Sequence, residues 1–326
     1  MSMPLFPATR KATFLLLLTI GPMPRAARAD WQRSDTSIAW RSGTNVLWQF
    51  TFDPKKGKPF FHPVAGRAGF SLTHFKPVDH PWHYGLWFSW KYINHVNYWE
   101  ESRETGRAEG ATRWSQPVIE TQPDGAATIR LDLTYVNPSN RVDLTENREL
   151  KISAPGRDGS FTIDWRAHFT AGTAGAILDR TPMLGEPKGQ TNGGYAGLGL
   201  RLPSAPVTMA VLCTTGLVTH FEGDRARPDA PAVACNIFDG KKFNGGIALF
   251  SDPNNAGENA PWYIVDSGQM RFVCAAILAP KIRTLPAGEE MNLNYRIAVR
   301  NNPWTVVGLK TGYAAWQSVK PENSSN

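Results

Sequence analysis

The stretch FTIDWRAHF, residues 161–169, alternates strictly between apolar and polar side chains. Its apolar positions are every second residue, from Phe161 through Trp165 to Phe169. Successive side chains of an extended chain point to opposite faces, so these apolar positions share one face and the polar positions share the other. The pattern predicts a strand of an antiparallel sheet that is buried on one side and solvated on the other.

Other parts of the chain carry similar patterns or short apolar runs that are bounded by turns. These segments are residues 45–52, 129–135, 207–213, 246–251, 270–278 and 291–299. Because each sheet must bury one face, many antiparallel strands of this length are expected to pack as two sheets. The sequence therefore predicts an all-β fold, an antiparallel β-sandwich, as one domain over residues 30–320 with a frayed tail at residues 321–326. No helix of ten or more residues is expected outside the N-terminal segment.

The N-terminal segment has the order of features that is typical of a secretory signal. Arg10 and Lys11 precede an apolar run over residues 12–20, and small residues lead up to Ala29. The run is shorter than the roughly 20 residues that span a bilayer. We therefore expect a signal peptide over residues 1–29, cleavage near Ala29, and a periplasmic or extracellular mature protein.

The charge and the cysteines narrow the classes of partner. Removing the segment, which contains four basic residues and no acidic one, lowers the formal net charge from +7 to +3. No basic stripe interleaved with aromatic residues is present, so a nucleic acid partner is not expected. No later apolar stretch predicts a membrane span in the mature chain. The three cysteines allow at most one internal disulfide, for which Cys213 and Cys235 are candidates, and Cys274 is expected to be a buried thiol.

The most unusual part of the sequence lies between His62 and Glu101, which contains five of the seven histidines. Its centre is DHPWHYGLWF, residues 79–88. Pro81 opposes regular strand pairing, so the segment is expected to form a turn that presents Asp79, His80 and His83. Histidines beside a carboxylate supply proton transfer near neutral pH or ligate a metal. We predict that His83 is the general acid or base and that His80 is its partner, with Asp79 orienting one of the two rings.

Metal ligation is the alternative interpretation of the same histidines. A His-x-x-His spacing in a turn lacks the helical geometry that makes His-Glu-x-x-His specific for zinc. A third ligand would be needed, for which Asp79, His62 and His168 are the candidates. The sequence assigns no metal residues and leaves the cofactor open, with a divalent ion on histidine as one outcome.

Aromatic and polar residues elsewhere suit a sugar ligand, because flat rings beside hydrogen-bonding groups stack on sugar rings. The expected ligand is a small molecule or an oligosaccharide. Predicted substrate-binding residues are His62, Trp82, Trp99, Tyr195, Arg201, Asn255 and Trp262. Arg201 suits a carboxylate or a pair of hydroxyls, and equally suits a structural ion pair. Carboxylates such as Glu100 and Glu101 would have to lie about 5 to 9 Å apart for glycoside hydrolysis.

Taken in this order, the motifs resemble the bacterial proteins grouped as the methane oxygenase PmoA family. The matching segments are residues 61–63, 79–88, 98–99, 194–201, 246–255, 261–263 and 285–289. The chain departs from that pattern at Trp82 and Tyr84, where relatives often have histidine and arginine. The resemblance implies an exported β-sandwich, of which the galactose-mutarotase supersandwich is one form, and an association with polysaccharide use. The family name is not literal, since the membrane subunit of methane monooxygenase is a helical, membrane-spanning protein.

Three functions follow as hypotheses. The leading one is an exported carbohydrate-active enzyme of hydrolase, lyase or epimerase type that uses histidine and aspartate for acid–base chemistry. The second is a non-catalytic periplasmic protein that binds glycans. The third, from the family label, is a metal-dependent oxidoreductase.

Overall fold

The computed structural model describes residues 1, 29–66, 68–255 and 261–318. Nearly all of the predicted signal peptide and the whole of the predicted tail lie outside the described residues. Within them the chain forms 23 strands, one short 3₁₀ helix and one α-helix. Every strand pairing is antiparallel, which confirms the predicted all-β class.

The first half of the chain contributes thirteen strands. They are β1 (Ala29–Arg33), β2 (Ser37–Ser42), β3 (Asn45–Thr51), β4 (Phe60–Val64), β5 (Leu86–Ser89), β6 (Tyr92–Ile93), β7 (Val96–Asn97), β8 (Ala111–Trp114), β9 (Val118–Thr121), β10 (Ala127–Val136), β11 (Val142–Ile152), β12 (Phe161–Ala171) and β13 (Ala176–Asp179). The 3₁₀ helix, Pro54–Lys56, lies between β3 and β4.

The second half contributes ten strands and the helix. They are β14 (Gly197–Leu202), β15 (Thr208–Cys213), β16 (Gly216–Leu217), β17 (Arg225–Ala226), β18 (Ala232–Asp239), β19 (Lys242–Ser251), β20 (Trp262–Asp266), β21 (Arg271–Ala275), β22 (Arg283–Leu285), β23 (Glu290–Arg300) and α1 (Val306–Ser318).

Two large sheets and one small sheet organise these strands. The nine-stranded sheet has the order β1-β2-β3-β4-β5-β14-β21-β20-β17. The ten-stranded sheet has the order β16-β15-β18-β19-β23-β12-β11-β10-β8, with β9 also paired to β10. The small sheet has the order β22-β13-β6-β7.

The main core lies between the two large sheets. Strand β12, which contains the opening stretch, alternates between buried and half-buried residues as predicted. The ring centroid of its Trp165 lies 6.3 Å from that of Phe61 in β4, and its Phe169 lies 5.5 Å from Phe88 in β5. These contacts across the two sheets confirm the sandwich.

The nine-stranded sheet is covered on its outer face as well. All residues of β5, β14 and β21 are buried, which a sheet with one solvated face would not show. A second apolar cluster combines Trp87 of β5 and Phe272 of β21 with Tyr263 of β20 and with Trp99, which lies in the loop after β7. This outer face is where the candidate site is built.

The helix α1 corrects the sequence prediction, which expected no helix of this length in this part of the chain. Leu309 of α1 packs with Trp304 and Phe250 on the outer side of the ten-stranded sheet. A Cβ on Gly312 would lie 3.3 Å from Cζ of Phe250, so the glycine permits close packing. Gly308 and Gly312 also lower the intrinsic helix propensity of this segment, so the sequence did not indicate a helix there. No helix in the described part of the chain has the length and apolar character to cross a bilayer.

All three cysteines are buried and free, so the considered bridge between Cys213 and Cys235 is not formed. In the register of β15 and β18, Cys213 lies opposite Val233 and Cys235 lies opposite Val211. Burial raises the pKa of the Cys274 thiol to about 12, as expected for an inert core cysteine.

Candidate functional site

A cavity of about 210 Å³ lies on the outer face of the nine-stranded sheet. The sheet supplies its floor, and three loops supply its walls. Its lining residues are His80, Trp82, His83, Trp99, Glu100, Asn192, Tyr195, Arg225, Tyr263, Met270 and Phe272. Five of the ten residues predicted for the site therefore line one space: His80, Trp82, His83, Trp99 and Tyr195.

The histidines come from a loop that is closed at its base by a bridge between Phe75 and Tyr84. Inside this loop the backbone makes two successive turns. The His80 amide donates to the Pro77 carbonyl at 3.1 Å, and the His83 amide donates to the His80 carbonyl at 3.0 Å. The turns place His80 and His83 in the same cavity wall, with their ring centroids 4.7 Å apart.

An ion pair fixes this loop to the sheet. Nη2 of Arg201, on β14, donates to both carboxylate oxygens of Asp79 at 3.0 and 2.8 Å. Asp79 Oδ2 in turn lies 2.9 Å from Nδ1 of His80. Burial acts to raise the pKa of Asp79, but the hydrogen bonds from His80 and Arg201 outweigh it and hold this pKa below its usual value. Because an ionised carboxylate only accepts hydrogen bonds, Nδ1 of His80 carries the proton and Nε2 is left as the basic nitrogen.

His83 is in a different environment from His80. It is 2% exposed, its ring is stacked 4.8 Å from Phe272, and its Nδ1 has no hydrogen-bond partner among the described residues. Burial, then electrostatic interactions with His80 and Arg201, lower the pKa of His83 well below the usual value. His83 is therefore a neutral ring beneath His80, and the residue that Asp79 orients is His80.

A carboxylate on the loop after β7 also faces the cavity. Glu100 Oε1 accepts from the Tyr195 hydroxyl at 2.5 Å, and Oε2 accepts from Asn97 Nδ2 at 2.6 Å and from Lys91 Nζ. Burial acts to raise the pKa of Glu100, but Lys91 and these hydrogen bonds lower it overall. Burial and the neighbouring carboxylate raise the pKa of Tyr195, so Tyr195 stays protonated as the donor. Glu100 is thus an ionised acceptor held in place by three donors.

Aromatic rings form the walls between these polar groups. The Trp99 ring centroid lies 5.3 Å from that of Tyr195, and Tyr195 is stacked 6.3 Å from Tyr263. Trp82 lies edge-on to His80 at 5.4 Å on the rim. The space therefore offers flat apolar faces next to an imidazole and a carboxylate.

The adjacent Glu101 belongs to a separate, buried network. It accepts from Lys58 Nζ at 2.8 Å, from Lys76 Nζ at 3.1 Å and from the Tyr84 hydroxyl at 2.6 Å. Burial lowers the pKa of Lys58, with Glu101 opposing that shift. This network joins the loop that carries the histidines to the loop that carries Glu100 and Glu101.

His62 and Arg201 do not line the cavity, although both are close to it in the fold. Nδ1 of His62 is paired with Thr73 Oγ1 at 2.9 Å, and its ring stacks on Phe75 at 5.6 Å. Burial, and then His74, lower the pKa of His62 to about 4. Arg201 lies behind Asp79 and acts on the site through that carboxylate.

Two other predicted binding residues lie away from the cavity. Asn255 donates to the Asn294 carbonyl at 2.7 Å and accepts from the Asn294 amide at 2.7 Å, which attaches its loop to β23. Trp262 is 1% exposed in the main core, where its indole N–H donates to the Ala230 carbonyl at 2.7 Å. Both side chains are committed to packing and to backbone contacts.

Reading the sequence missed several residues of the cavity. These are Asn192, Arg225, Tyr263, Met270 and Phe272, and Glu100 was noted only as a partner for another carboxylate. Their signal in the sequence was weak, because Tyr263 and Phe272 sit in apolar strand patterns that read as core. Only the pairing of β20 with β21 brings these two strands beside β14 and the histidine loop.

The candidate metal ligands do not converge. His168 is on β12 in the other large sheet, where its Nδ1 is paired with Asn292 Oδ1 at 2.9 Å. Within residues 29–66, 68–255 and 261–318, no group of three or more histidine, cysteine, aspartate or glutamate side chains is arranged to hold a metal ion.

Fold and site together define an antiparallel β-sandwich protein with a cavity on the outer face of one sheet that is lined by aromatic rings, imidazoles and a carboxylate. The chain belongs to the family of unknown function DUF6807, whose sequence model matches residues 37–312. The resemblance to the methane oxygenase PmoA family is therefore wrong, because the matching family is DUF6807. No curated protein sequence matches the chain.

Solved structures with similar folds include three sugar-related proteins. A putative aldose 1-epimerase from Klebsiella pneumoniae has a TM-score of 0.46 at 10% identity, covering 87% of this chain and 84% of its own. An α-galactosidase from Lactobacillus brevis has a TM-score of 0.41 at 10% identity, covering 83% of this chain and 39% of its own. A galactose mutarotase related enzyme from Lactobacillus acidophilus has a TM-score of 0.33 at 9% identity, covering 84% and 98%.

Proposed function

We propose that this protein is a carbohydrate-active enzyme that binds one sugar residue in the aromatic cavity and transfers a proton with His80. The observation that carries the proposal is the chain of contacts from Arg201 through Asp79 to His80 at the cavity wall. A buried guanidinium fixes an ionised carboxylate, and the carboxylate fixes the tautomer and orientation of an imidazole. This arrangement prepares a general base whose free nitrogen faces a ligand.

The size and lining of the cavity favour a single sugar ring. Its volume of about 210 Å³ lies below the 300–1,000 Å³ that is usual for drug-sized ligands. The half-buried rings of Trp82 and Tyr195 offer apolar surface for the C–H face of a sugar, and the buried rings of Trp99 and Tyr263 flank Tyr195. Glu100, ionised and held by three donors, is placed to accept a hydrogen bond from a hydroxyl.

The arrangement favours lyase or epimerase chemistry over hydrolysis by two carboxylates. Glycoside hydrolysis normally uses two carboxyl groups on either side of the scissile bond, one of them protonated. Glu100 is the only carboxylate among the residues that line the cavity, and its lowered pKa keeps it ionised. Glu101 is occupied by two lysines and a tyrosine. His80 is then the group that exchanges a proton with the sugar, and Glu100 positions the sugar by accepting a hydrogen bond from one of its hydroxyls.

Proton transfer can be tested directly with a panel of aldoses, uronic acids and uronides in deuterated buffer. Nuclear magnetic resonance would report faster anomeric exchange or deuterium incorporation at carbon, and absorbance would report unsaturated products of a lyase. His80→Gln should lower the rate by about a hundredfold or more, the range typical of a general base, and should retain sugar binding. His168→Gln, on the opposite sheet, is the matched control and should keep the wild-type rate.

Two results would overturn the proposal in different ways. Sugar binding without any turnover by the wild-type protein would favour a non-catalytic glycan-binding protein. Full activity of a folded His80→Gln variant would remove His80 from the mechanism.

We also propose export to the periplasm or the extracellular space, which the basic and apolar order of residues 10–29 supports. N-terminal sequencing of the protein recovered from the exported fraction should begin near Asp30. Recovery of the intact chain from the cytoplasm alone would contradict export.

A further inference from the structure

A second, larger cavity of about 370 Å³ adjoins the first at the edge of the nine-stranded sheet. Its polar lining consists of Gln190, Thr191, His220, Glu222, Arg225 and Arg227. Arg225 lines both cavities, so the two spaces share a wall. Both spaces contact the Arg225 side chain, so they lie within the length of one side chain of each other.

The shared wall is built on one aromatic ring. The Tyr263 hydroxyl accepts from Arg225 Nε at 3.1 Å, and the Arg227 guanidinium lies over the Tyr263 ring with Cζ 4.6 Å from its centroid. The other side of this wall faces Tyr195, which is stacked on Tyr263 in the first cavity. Tyr263 thus contacts Arg225, which lines both spaces, and Arg227, which lines only the second of the two.

The charges around the second cavity are not balanced at Arg227. Arg225 is paired with Asp224, whereas Arg227 has no carboxylate within ion-pair distance in the described part of the chain. Nη2 of Arg227 donates to the carbonyls of Gly193 at 2.5 Å and Thr191 at 3.3 Å, and its Nη1 is enclosed without a partner.

The remaining lining groups compensate this cation only in part. Glu222 is the carboxylate among the lining residues; it is exposed, forms no ion pair with Arg227 in the described part of the chain, and its charge opposes only part of the effect of burial. Burial lowers the pKa of Arg227, as expected for a cation without a close counter-charge, yet an arginine stays charged. Planar guanidinium groups that are stacked and held by backbone carbonyls are suited to carboxylate and sulfate.

We infer that the second cavity binds an anionic sugar unit, joined to the sugar in the first cavity, so that the substrate is an acidic oligosaccharide. Uronate and sulfate ester share the required negative charge, and each presents at least two oxygens that can accept hydrogen bonds from a guanidinium group. This inference rests on the proposed function, because the neighbouring unit lies in the cavity that contains His80.

Calorimetric titration tests it with three probes of equal length: a diuronide, a sulfated disaccharide and an uncharged disaccharide. At low ionic strength, at least one charged probe should bind about tenfold more tightly than the uncharged one. Arg227→Gln should abolish that preference and retain monosaccharide binding. Arg166→Gln, an exposed arginine on the outer face of the other sheet, is the matched control and should keep the preference.

The unmodified protein supplies a second measurement that needs no variant to fold. Its preference for the charged probe should shrink as salt is raised from about 0.05 to 0.5 M, because screening weakens interactions with exposed and half-buried charges. Equal affinity for all three probes, or a preference that persists in both Arg227→Gln and high salt, would overturn the inference. If monosaccharide turnover persists in that case, the proposed function survives; if no sugar binds or reacts at all, the proposed function has failed as well.

Discussion

Arg201 and Asp79 form the contact on which the candidate site depends. Nη2 of Arg201, a side chain with no exposed surface, donates to both oxygens of Asp79 at 3.0 and 2.8 Å. Arg201 belongs to a central strand of the nine-stranded sheet, and Asp79 belongs to the loop that carries both histidines. The pair therefore fixes the loop, and with it His80, to the sheet.

Asp79→Asn should damage both stability and turnover. The substitution leaves the Arg201 cation buried without a counter-charge, which costs 3–5 kcal/mol in fully buried pairs. Because Asp79 is 29% exposed, we expect a smaller loss of about 1–3 kcal/mol in the free energy of unfolding, measured with urea. Turnover should fall by about a hundredfold or more, because the tautomer of His80 is no longer fixed.

The double variant Asp79→Asn with Arg201→Met separates these two effects. Removing both charges should recover part of the unfolding free energy and none of the turnover. A double variant less stable than Asp79→Asn alone would show that Arg201 is held by other contacts.

Tyr195→Phe should change the behaviour of Glu100 without removing an aromatic ring from the cavity. The hydroxyl donates to Glu100 Oε1 at 2.5 Å, and a hydrogen bond to an ionised group contributes about 1.5–3 kcal/mol. Its loss should raise the pKa of Glu100 and lower sugar affinity by about tenfold or more at neutral pH. The pH below which sugar binding is lost should therefore rise. Tyr92→Phe on the nearby small sheet is the control, and an unshifted profile in Tyr195→Phe would exclude the assigned role of Glu100.

How far the sequence predicts this protein can be judged from particular elements. The strand predicted from the alternation in residues 161–169 is confirmed as β12. A strand with one buried face and one solvated face needs an apolar side chain at every second position, so its sequence shows a period of two. The turn around Pro81 is also found, since proline and the surrounding polar residues leave few local alternatives. These features depend on short-range physics and are accessible without coordinates.

Long-range pairing explains what the sequence could not provide. Phe272 and Tyr263 look like core residues of ordinary strands, and they become the floor and wall of a cavity only because β21 pairs with β14. Trp262 precedes Tyr263 on β20, points to the opposite face of that strand and belongs to the main core. Choosing between these two adjacent aromatic residues therefore required knowing which face of β20 each of them occupies. Arg201 was open to two interpretations, and the structure shows the ion pair with Asp79.

Three histidines with lowered pKa values, the buried His83 and the half-buried His62 and His74, should make the folded protein sensitive to mild acid. Burial is the first cause that lowers the pKa of His62, His74 and His83, and for His62 the value falls to about 4. As pH falls below about 6.5, these three histidines become protonated in the unfolded chain at a higher pH than in the folded protein. Stability is therefore greatest above about 6.5 and is lost as pH falls, by at most about 1.4 kcal/mol per pH unit for each histidine.

Urea unfolding from pH 8 to 4.5 measures this effect while Asp79 and Glu100, whose lowered pKa values act below that range, stay ionised. His62→Gln should reduce the slope between pH 6.5 and 4.5, and His168→Gln should leave it unchanged. A stability curve that is flat over this range would contradict the lowered pKa values of the three rings.

Gly199→Ala should disturb the floor of the cavity through a single methyl group. A Cβ at this position would lie 3.1 Å from Cζ2 and Cη2 of Trp87 and 3.3 Å from Cε2 of Phe272. Both rings lie against His83, at 5.0 and 4.8 Å, so the glycine lets the floor pack flat beneath the histidine loop. Overpacking of this kind costs about 1–3 kcal/mol, and we expect a loss of that size in the free energy of unfolding together with a change in tryptophan fluorescence. Gly268→Ala, where a Cβ would meet nothing within 4 Å, should change neither quantity. If Gly199→Ala were as stable as the wild type and had unchanged fluorescence and sugar affinity, the close packing of Trp87 beneath the site would be refuted.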